Sequence, residues 1–382
     1  MRVLLIDADS IIPNLALMKL GSWHKNKGDQ VVLHRCNLPY YPNRKKHEYF
    51  VPDGFDIKYC SVVFEGNVSY IKGENVIFGG TGVDLITKLP DEAECCSPDY
   101  TLYPDNQASY GFITRGCIRK CSFCKVPEKE GYIHKVNDID NIVRHKKVKF
   151  LDNNILAYPD HETVLQELVE KKIKCQFNQG LDIRLLNENN SNLLSKIHYL
   201  NEYIFAFDSL AYRKIIEEKL LLLKWAKDWK LKFFVYVHPD MPIGETVQRI
   251  SFLKEHKCLP YVMRDISCWD SLNNEFYIDI CAYTNQVHLF KKMTFHEFLL
   301  KRHTSKTRIK QSLRAWSGWI SIRRVDGLCH SVPLAVAPKQ QVIRLTAGLR
   351  LRSEGSDDRT RTPAECASGG STGCQGQAHQ GA

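Results

Sequence analysis

Three cysteines stand at C-x3-C-x2-C spacing in the stretch Gly111-Phe112-Ile113-Thr114-Arg115-Gly116-Cys117-Ile118-Arg119-Lys120-Cys121-Ser122-Phe123-Cys124. Thiolates are soft ligands, and two chemistries compete for such a set. A structural zinc site takes four protein ligands, commonly from cysteines paired two residues apart. No second C-x2-C and no H-x3-H occurs in this chain to complete one. A cubane iron–sulfur cluster also usually takes four thiolates. Held by Cys117, Cys121 and Cys124 alone, it keeps one iron open to a ligand from outside. The spacing therefore points to a [4Fe–4S] cluster with an open iron.

The elements that position this loop are read from apolar periodicity. Residues 111–265 alternate strand-like runs with helical stretches. The strands are Tyr110–Thr114, Val148–Leu151, Lys174–Phe177, Tyr203–Phe207, Lys232–Val237 and Tyr261–Arg264. The helices between them are Val136–His145, His161–Lys172, Asn190–Ile197, Leu210–Trp229 and Glu245–His256. Six β/α units predict an α/β fold, a partial (β/α)6 barrel of the TIM type. Such barrels place their chemistry at the carboxyl ends of the strands, where the cysteine loop falls. Those ends are polar: Asp152-Asn153-Asn154, then Asn178-Gln179-Gly180-Leu181-Asp182-Ile183-Arg184, Asp208-Ser209, and His238-Pro239-Asp240. A zwitterionic amino acid on the open iron needs an acceptor for its ammonium and a donor for its carboxylate. Asp152, Asn153, Arg184, Asp208 and Ser209 supply these types. Each also has a plain reading as a helix cap or turn former.

The cysteine loop, with Phe123 just before the last cysteine, resembles that of the radical S-adenosylmethionine (SAM) superfamily, and the likeness extends over residues 111–265. Asp152-Asn153-Asn154 matches the place of that family's acidic motif. Phe207-Asp208-Ser209 is similar to a Val-Glu-Ser pattern after the fourth strand. Ile243-Gly244-Glu245-Thr246 is similar to a Gly-Glu-Thr helix start after the fifth. The resemblance implies that SAM binds the open iron through its amino and carboxylate groups. Phe123 would then lie near the adenine, and Asp152 at the amino group. It implies reductive cleavage of SAM to a 5′-deoxyadenosyl radical, fed by a flavodoxin- or ferredoxin-type donor, for modification of an unidentified substrate.

Residues 1–90 read as a small, doubly wound Rossmann-like domain. Its strand runs are Val3–Asp7, Val31–His34, Ile57–Phe64 and Val76–Phe78, with a helix from Pro13 to Gly28. Gly79-Gly80-Thr81-Gly82 follows the fourth run, at the end where such sheets bind ligands. The G-x-G-x-x-G pattern of a nicotinamide site is missing after the first strand. The region resembles the cobalamin-binding-like domain that precedes many radical SAM cores. The Asp-x-His-x-x-Gly loop that holds cobalamin through a histidine is absent, with Asp9-Ser10-Ile11 near its place, so cobalamin stays open. Residues 91–110, with Pro90, Pro98 and Pro104 in or beside them, read as a linker.

Composition bounds the rest. The chain has 382 residues, 14 cysteines and a net charge of +10. No apolar run reaches the roughly 18 residues of a membrane span. The cysteines outside the loop are scattered through apolar segments, which fits reduced side chains and a cytoplasmic setting. Cys258, Cys268 and Cys281 are spaced too widely to read as a second cluster. The charge permits a nucleic-acid partner without arguing for one. From Ser312 the composition turns from lysine to arginine, and Ser353–Ala382 is low in complexity, so 312–382 reads as a disordered tail. Residues 111–311 are then the core with its C-terminal extension. Narrower alternatives are an RNA methylthiotransferase-like enzyme or a cobalamin-dependent methyltransferase. A non-catalytic iron–sulfur or nucleic-acid-binding protein on the same scaffold is an alternative of another class.

Overall fold

A computed structural model describes residues 1–40 and 44–322, with side chains to Ser317, all within a unit that spans Met1–Gly348. The structure is mixed α/β, and its larger sheets are parallel. In the N-terminal part, β1 (Arg2–Asp7), α1 (Leu15–Asn26), β2 (Gln30–Arg35), β3 (Ile57–Ser61) and β4 (Val76–Gly79) form a sheet in the order β2-β1-β3-β4. Val3 and Leu5 pack towards α1, against Leu17 and Leu20. Leu4 and Ile6 pack on the opposite face with Val51, Val62 and Ile71. A strand buried on both faces reads as an unbroken apolar run, which is why Val3–Ile6 does not alternate. Asn14 caps α1 by accepting from the Leu17 amide at 3.1 Å.

The glycine loop after β4 has a packing role. Gly80 sits at φ 103°, and a Cβ there would lie 2.4 Å from the Val62 carbonyl oxygen. A Cβ on Gly82 would lie 2.7 Å from the Phe64 carbonyl carbon. These glycines let the loops after β3 and β4 approach closely, and Gly82 donates to Val62 across the join at 2.9 Å. The expected linker is likewise a packed strap. It contains a short helix, Asp91–Glu94, with Ala93 buried, and the buried Tyr103 donates its hydroxyl to Asp7 at 2.8 Å.

The following strands are β5 (Ser109–Gly111), β6 (Lys147–Phe150), β7 (Lys174–Phe177), β8 (Tyr203–Ala206), β9 (Leu231–Val237) and β10 (Leu259–Arg264). They lie in chain order in two parallel sheets, β5-β6-β7, which the short strand His198–Tyr199 extends beside β7, and β8-β9-β10, joined by a parallel bridge between Leu181 and Phe205. Four helices of eight or more residues separate them: α2 (His161–Glu170), α3 (Glu188–Lys196), α4 (Arg213–Leu220) and α5 (Ile243–Glu255). One side chain set of the strands, including Phe150, Phe177, Phe233 and Val235, packs under Leu165, Leu168, Leu194, Ile216 and Ile250 of those helices.

Two expected helices differ. Val136–His145 is helical only over Ile139–Ile142, because the Val136 and Asn137 amides donate to the Ile113 carbonyl after a short strand, His134–Lys135, that pairs antiparallel with Thr114–Arg115, and the Arg144 and His145 amides donate to the Ser109 hydroxyl. Leu210–Trp229 breaks into shorter turns around α4, where Leu223 and Trp225 bend inward to pack on the core.

Four helices close the described chain, the short Val287–Lys292 and three longer ones: α6 (Asn274–Thr284), α7 (Phe295–Arg302) and α8 (Lys306–Ile322). The three longer ones meet at Asp279, a fully buried carboxylate. It accepts from Arg302 Nε at 3.1 Å, pairs with His303 Nε2 at 2.9 Å and Arg308 at 3.3 Å, and accepts from the Ser312 hydroxyl at 2.7 Å. The boundary expected at Ser312 therefore falls inside α8, whose Trp316 packs on Phe295 with ring centroids 4.8 Å apart. Arginine supply misled the compositional reading, because packing depends on Ser312, Leu313 and Trp316 instead. The low-complexity stretch Ser353–Ala382 lies outside the described residues. A chain ending at Gln311 should be less stable than one ending at Ile322 by about 3 kcal/mol, from a lost charge-assisted hydrogen bond and lost apolar burial. Urea unfolding of the two checks this, and equal midpoints would make α8 dispensable.

Candidate metal and cofactor site

The cysteine loop is an excursion between Thr114–Arg115 and His134–Lys135, whose antiparallel pairing closes its neck. Gly116 opens it at φ 86°. A Cβ there would lie 2.3 Å from the Tyr132 carbonyl oxygen, so glycine is required by both backbone angle and space. The Cys117 amide donates to the Gly131 carbonyl at 3.2 Å. Arg115 ties the neck sideways to Glu130 at 3.1 Å and Glu94 at 3.4 Å.

The residues after β6 hold this neck one by one. Asp152, 1% exposed, accepts from the Thr114 amide at 2.6 Å, the Thr114 hydroxyl at 2.8 Å and the Ile113 amide at 3.3 Å. Asn153 Oδ1 accepts from the Gly116 amide at 3.0 Å. Asn154 Nδ2 donates to Cys117 Sγ at 3.5 Å. Burial pushes the Asp152 carboxyl up to about 6, against the pull of its donors. Both its oxygens face the loop backbone, so Asp152 is a staple of the loop. Asn153 staples through its oxygen and leaves its amide nitrogen without a partner among the described residues.

All three thiols are partly exposed, unlike the buried Cys175, Cys258 and Cys268. Burial and the neighbouring Asp208 raise the Cys121 thiol, and burial pushes Cys124 up to about 11. The sulfurs receive amide donors: Arg119 to Cys117 at 3.3 Å and Val126 to Cys124 at 3.5 Å. Among the described residues no group of three or more His, Cys, Asp or Glu side chains is gathered around a single point as a metal ion would require.

The far wall is built by β8 and β9. Phe123 stacks on Tyr236, with centroids 4.3 Å apart and planes 17° from parallel. The Tyr236 amide donates to Asp208 Oδ1 at 3.2 Å, and its hydroxyl donates to the buried Asp265 at 3.0 Å. Asp208 keeps Oδ2 without a partner among the described residues, and its enclosure pushes the carboxyl up to about 6. Ser209 caps the turn that follows it, accepting from the Ala211 amide at 3.3 Å. Arg184 is neutralised: it makes a two-pronged contact with Asp182 at 2.7 and 3.0 Å, and Arg119 of the cysteine loop shares that carboxylate at 2.9 Å.

No protein-family model and no curated protein matches the chain. The site's reading therefore stands on its own residues.

Two of those residues were not singled out from the sequence. Tyr236 is the anvil for Phe123. Arg249, on α5, is fully buried and donates to the Phe207 carbonyl at 2.8 Å and the Tyr236 carbonyl at 3.1 Å. Burial lowers its guanidinium to about 10. The available signal was an arginine on the apolar face of a helix, between Thr246 and Leu253.

Asp152→Ala should leave two backbone amides of the neck unsatisfied, costing about 1–3 kcal/mol each. The expected result is a lowered unfolding temperature together with reduced metal uptake by the cysteines. A variant with wild-type stability and uptake, impaired only in ligand binding, would return Asp152 to the ligand-contacting set.

Proposed function

We propose that the chain is a radical SAM enzyme acting on an unidentified substrate. In this reading the six parallel strands are a partial (β/α)6 barrel of the TIM type, and the sheet before them is a Rossmann-like domain. The observation that carries the reading is the placement of Cys117, Cys121 and Cys124 together on one loop at the carboxyl ends of those strands. Of the other described cysteines only Cys95 and Cys96 are neighbours, at the end of the Asp91–Glu94 helix, and the rest lie on separate elements. The donor set suits an iron–sulfur cluster: three sulfurs, partly open, with amide donors on two of them. When bound, the cluster and SAM supply one-electron cleavage of the sulfonium to a 5′-deoxyadenosyl radical.

The chain's own part is to bind, orient and exclude water. Cys117, Cys121 and Cys124 hold the cluster. Asp152, Asn153 and Asn154 hold the loop that carries them. Asp208, with one free oxygen, is the acceptor for the ammonium group of SAM, and the free amide of Asn153 is a donor for its carboxylate. Phe123, backed by Tyr236, offers a ring face to the adenine. Arg184, engaged by Asp182, orients Arg119 and the loop rather than SAM.

Anaerobic reconstitution should give about four irons per chain, and dithionite should release methionine and 5′-deoxyadenosine. Cys121→Ala should lose both. Zinc at stoichiometry without iron uptake would exclude the reading. Within it, Asp208→Ala should keep its iron and bind SAM roughly ten- to a hundredfold more weakly, the effect of a charge-assisted bond of about 1.5–3 kcal/mol. Unchanged SAM affinity in an iron-loaded Asp208→Ala protein would move the ammonium elsewhere.

A further inference from the structure

Side chains of β6 alternate across the sheet. Val148 and Phe150 join the core beneath the helices, so Lys149 points to the opposite side. The parallel register sets Tyr110 of β5, Lys149 of β6 and Gln176 of β7 side by side there. Lys149 is only 8% exposed. Its Nζ lies 5.8 Å from the centre of the Tyr110 ring. Among the described residues it has no hydrogen-bond acceptor and no carboxylate partner. Lys232 of β9, also on that side, is neutralised by Glu202 at 2.8 Å. Gln176 is also engaged, donating to the Glu202 carbonyl at 3.1 Å. The Tyr110 hydroxyl has no partner among the described residues, since its recorded bonds, both to Tyr100, are made by its backbone.

A largely buried ammonium without a counter-charge costs stability, and a ligand that supplies the charge recovers it. Burial lowers the amine's pKa, and Lys147 adds to the effect. The pairing of Lys232 shows that the same surface accommodates a carboxylate partner where one is wanted. We propose that Lys149 and Tyr110 form an anion subsite that takes the carboxylate or phosphate group of a small-molecule substrate. The ammonium supplies the charge and the phenol a directed hydrogen bond. Lys149 precedes Asp152 by three residues, about 10 Å along the strand at roughly 3.3 Å per residue. The anionic end of the substrate is thus set back from the cysteine loop by about the length of a short-chain metabolite. The assignment rests on the radical reading only in calling the bound molecule a substrate.

The test uses the full-length protein, with inorganic phosphate and acetate as separate probes and chloride at matched ionic strength as control. Wild type should show a saturable rise in unfolding temperature with at least one probe and none with chloride, and the stronger probe distinguishes phosphate from carboxylate. Lys149→Met should abolish the response, and Lys149→Arg should keep it. In probe-free buffer Lys149→Met should unfold at a higher temperature than wild type, because it removes an unpaired buried charge. A Lys149→Met protein that responds like wild type overturns the subsite. So does one that is less stable than wild type or fails to fold, since the lysine is then structural, and so does a wild type indifferent to both anions. The measurement needs neither iron nor SAM. Phosphate binding without iron uptake would sink the radical reading and keep the subsite.

Discussion

The cysteine loop depends on a buried carboxylate. β5 ends at Gly111, so the amides of Ile113 and Thr114 have no strand partner within the sheet. Buried amides must be paired, and a buried carboxylate must find donors. Asp152 answers both needs at once. Its position directly after β6 makes the strand register and the loop position a single constraint, because Leu151 donates to Gly111 at 2.8 Å just before it. Asn153 and Asn154 then take Gly116 and Cys117 in sequence. Three consecutive side chains thus determine where the first thiol stands.

The opposite wall depends on a buried cation. Arg249 binds the carbonyls of Phe207 and Tyr236, one from each of two neighbouring strands where their ladder ends. A guanidinium can do this because its donors are fixed in a planar fork. It leaves the Tyr236 amide for Asp208 and the Tyr236 ring for Phe123. The two walls meet in that ring stack, which connects Cys124's neighbour to β9.

Most charges around the site are already matched. Asp182 is shared by Arg119 and Arg184, Arg115 lies between Glu94 and Glu130, and Lys232 pairs with Glu202. Such pairing holds shape but offers a ligand little. Among the described residues, groups left open lie at two levels: Asp208, Asn153 and the buried Oδ1 of Asn154 near the thiols, and Lys149 with Tyr110 deeper along the strands. Buried groups without partners are where a protein gives up stability, and functional sites are a common reason for it.

Sequence alone determined the α/β alternation, the approximate span of the longer strands in the parallel arrays, and the three-cysteine loop at a strand end; the two-residue strand His198–Tyr199 was too short to show a period. These follow from local periodicity and from spacing along one segment, which need no knowledge of distant contacts. It also located the polar residues at the strand ends, yet it could not assign their roles. Whether Asp152 faces a ligand or the backbone of Thr114 depends on where β5 stops relative to β6, and that is a matter of register. Whether Arg184 is free depends on Asp182 turning back on it. The break at Ser312 was read from composition, whereas the helix continues because Asp279, 33 residues earlier, needs the Ser312 hydroxyl. Arg249, Tyr236 and Lys149 drew no notice because their significance lies in which partners they have or lack. Tertiary structure alone decides that, since a buried charge is defined by its surroundings and not by its place in the chain.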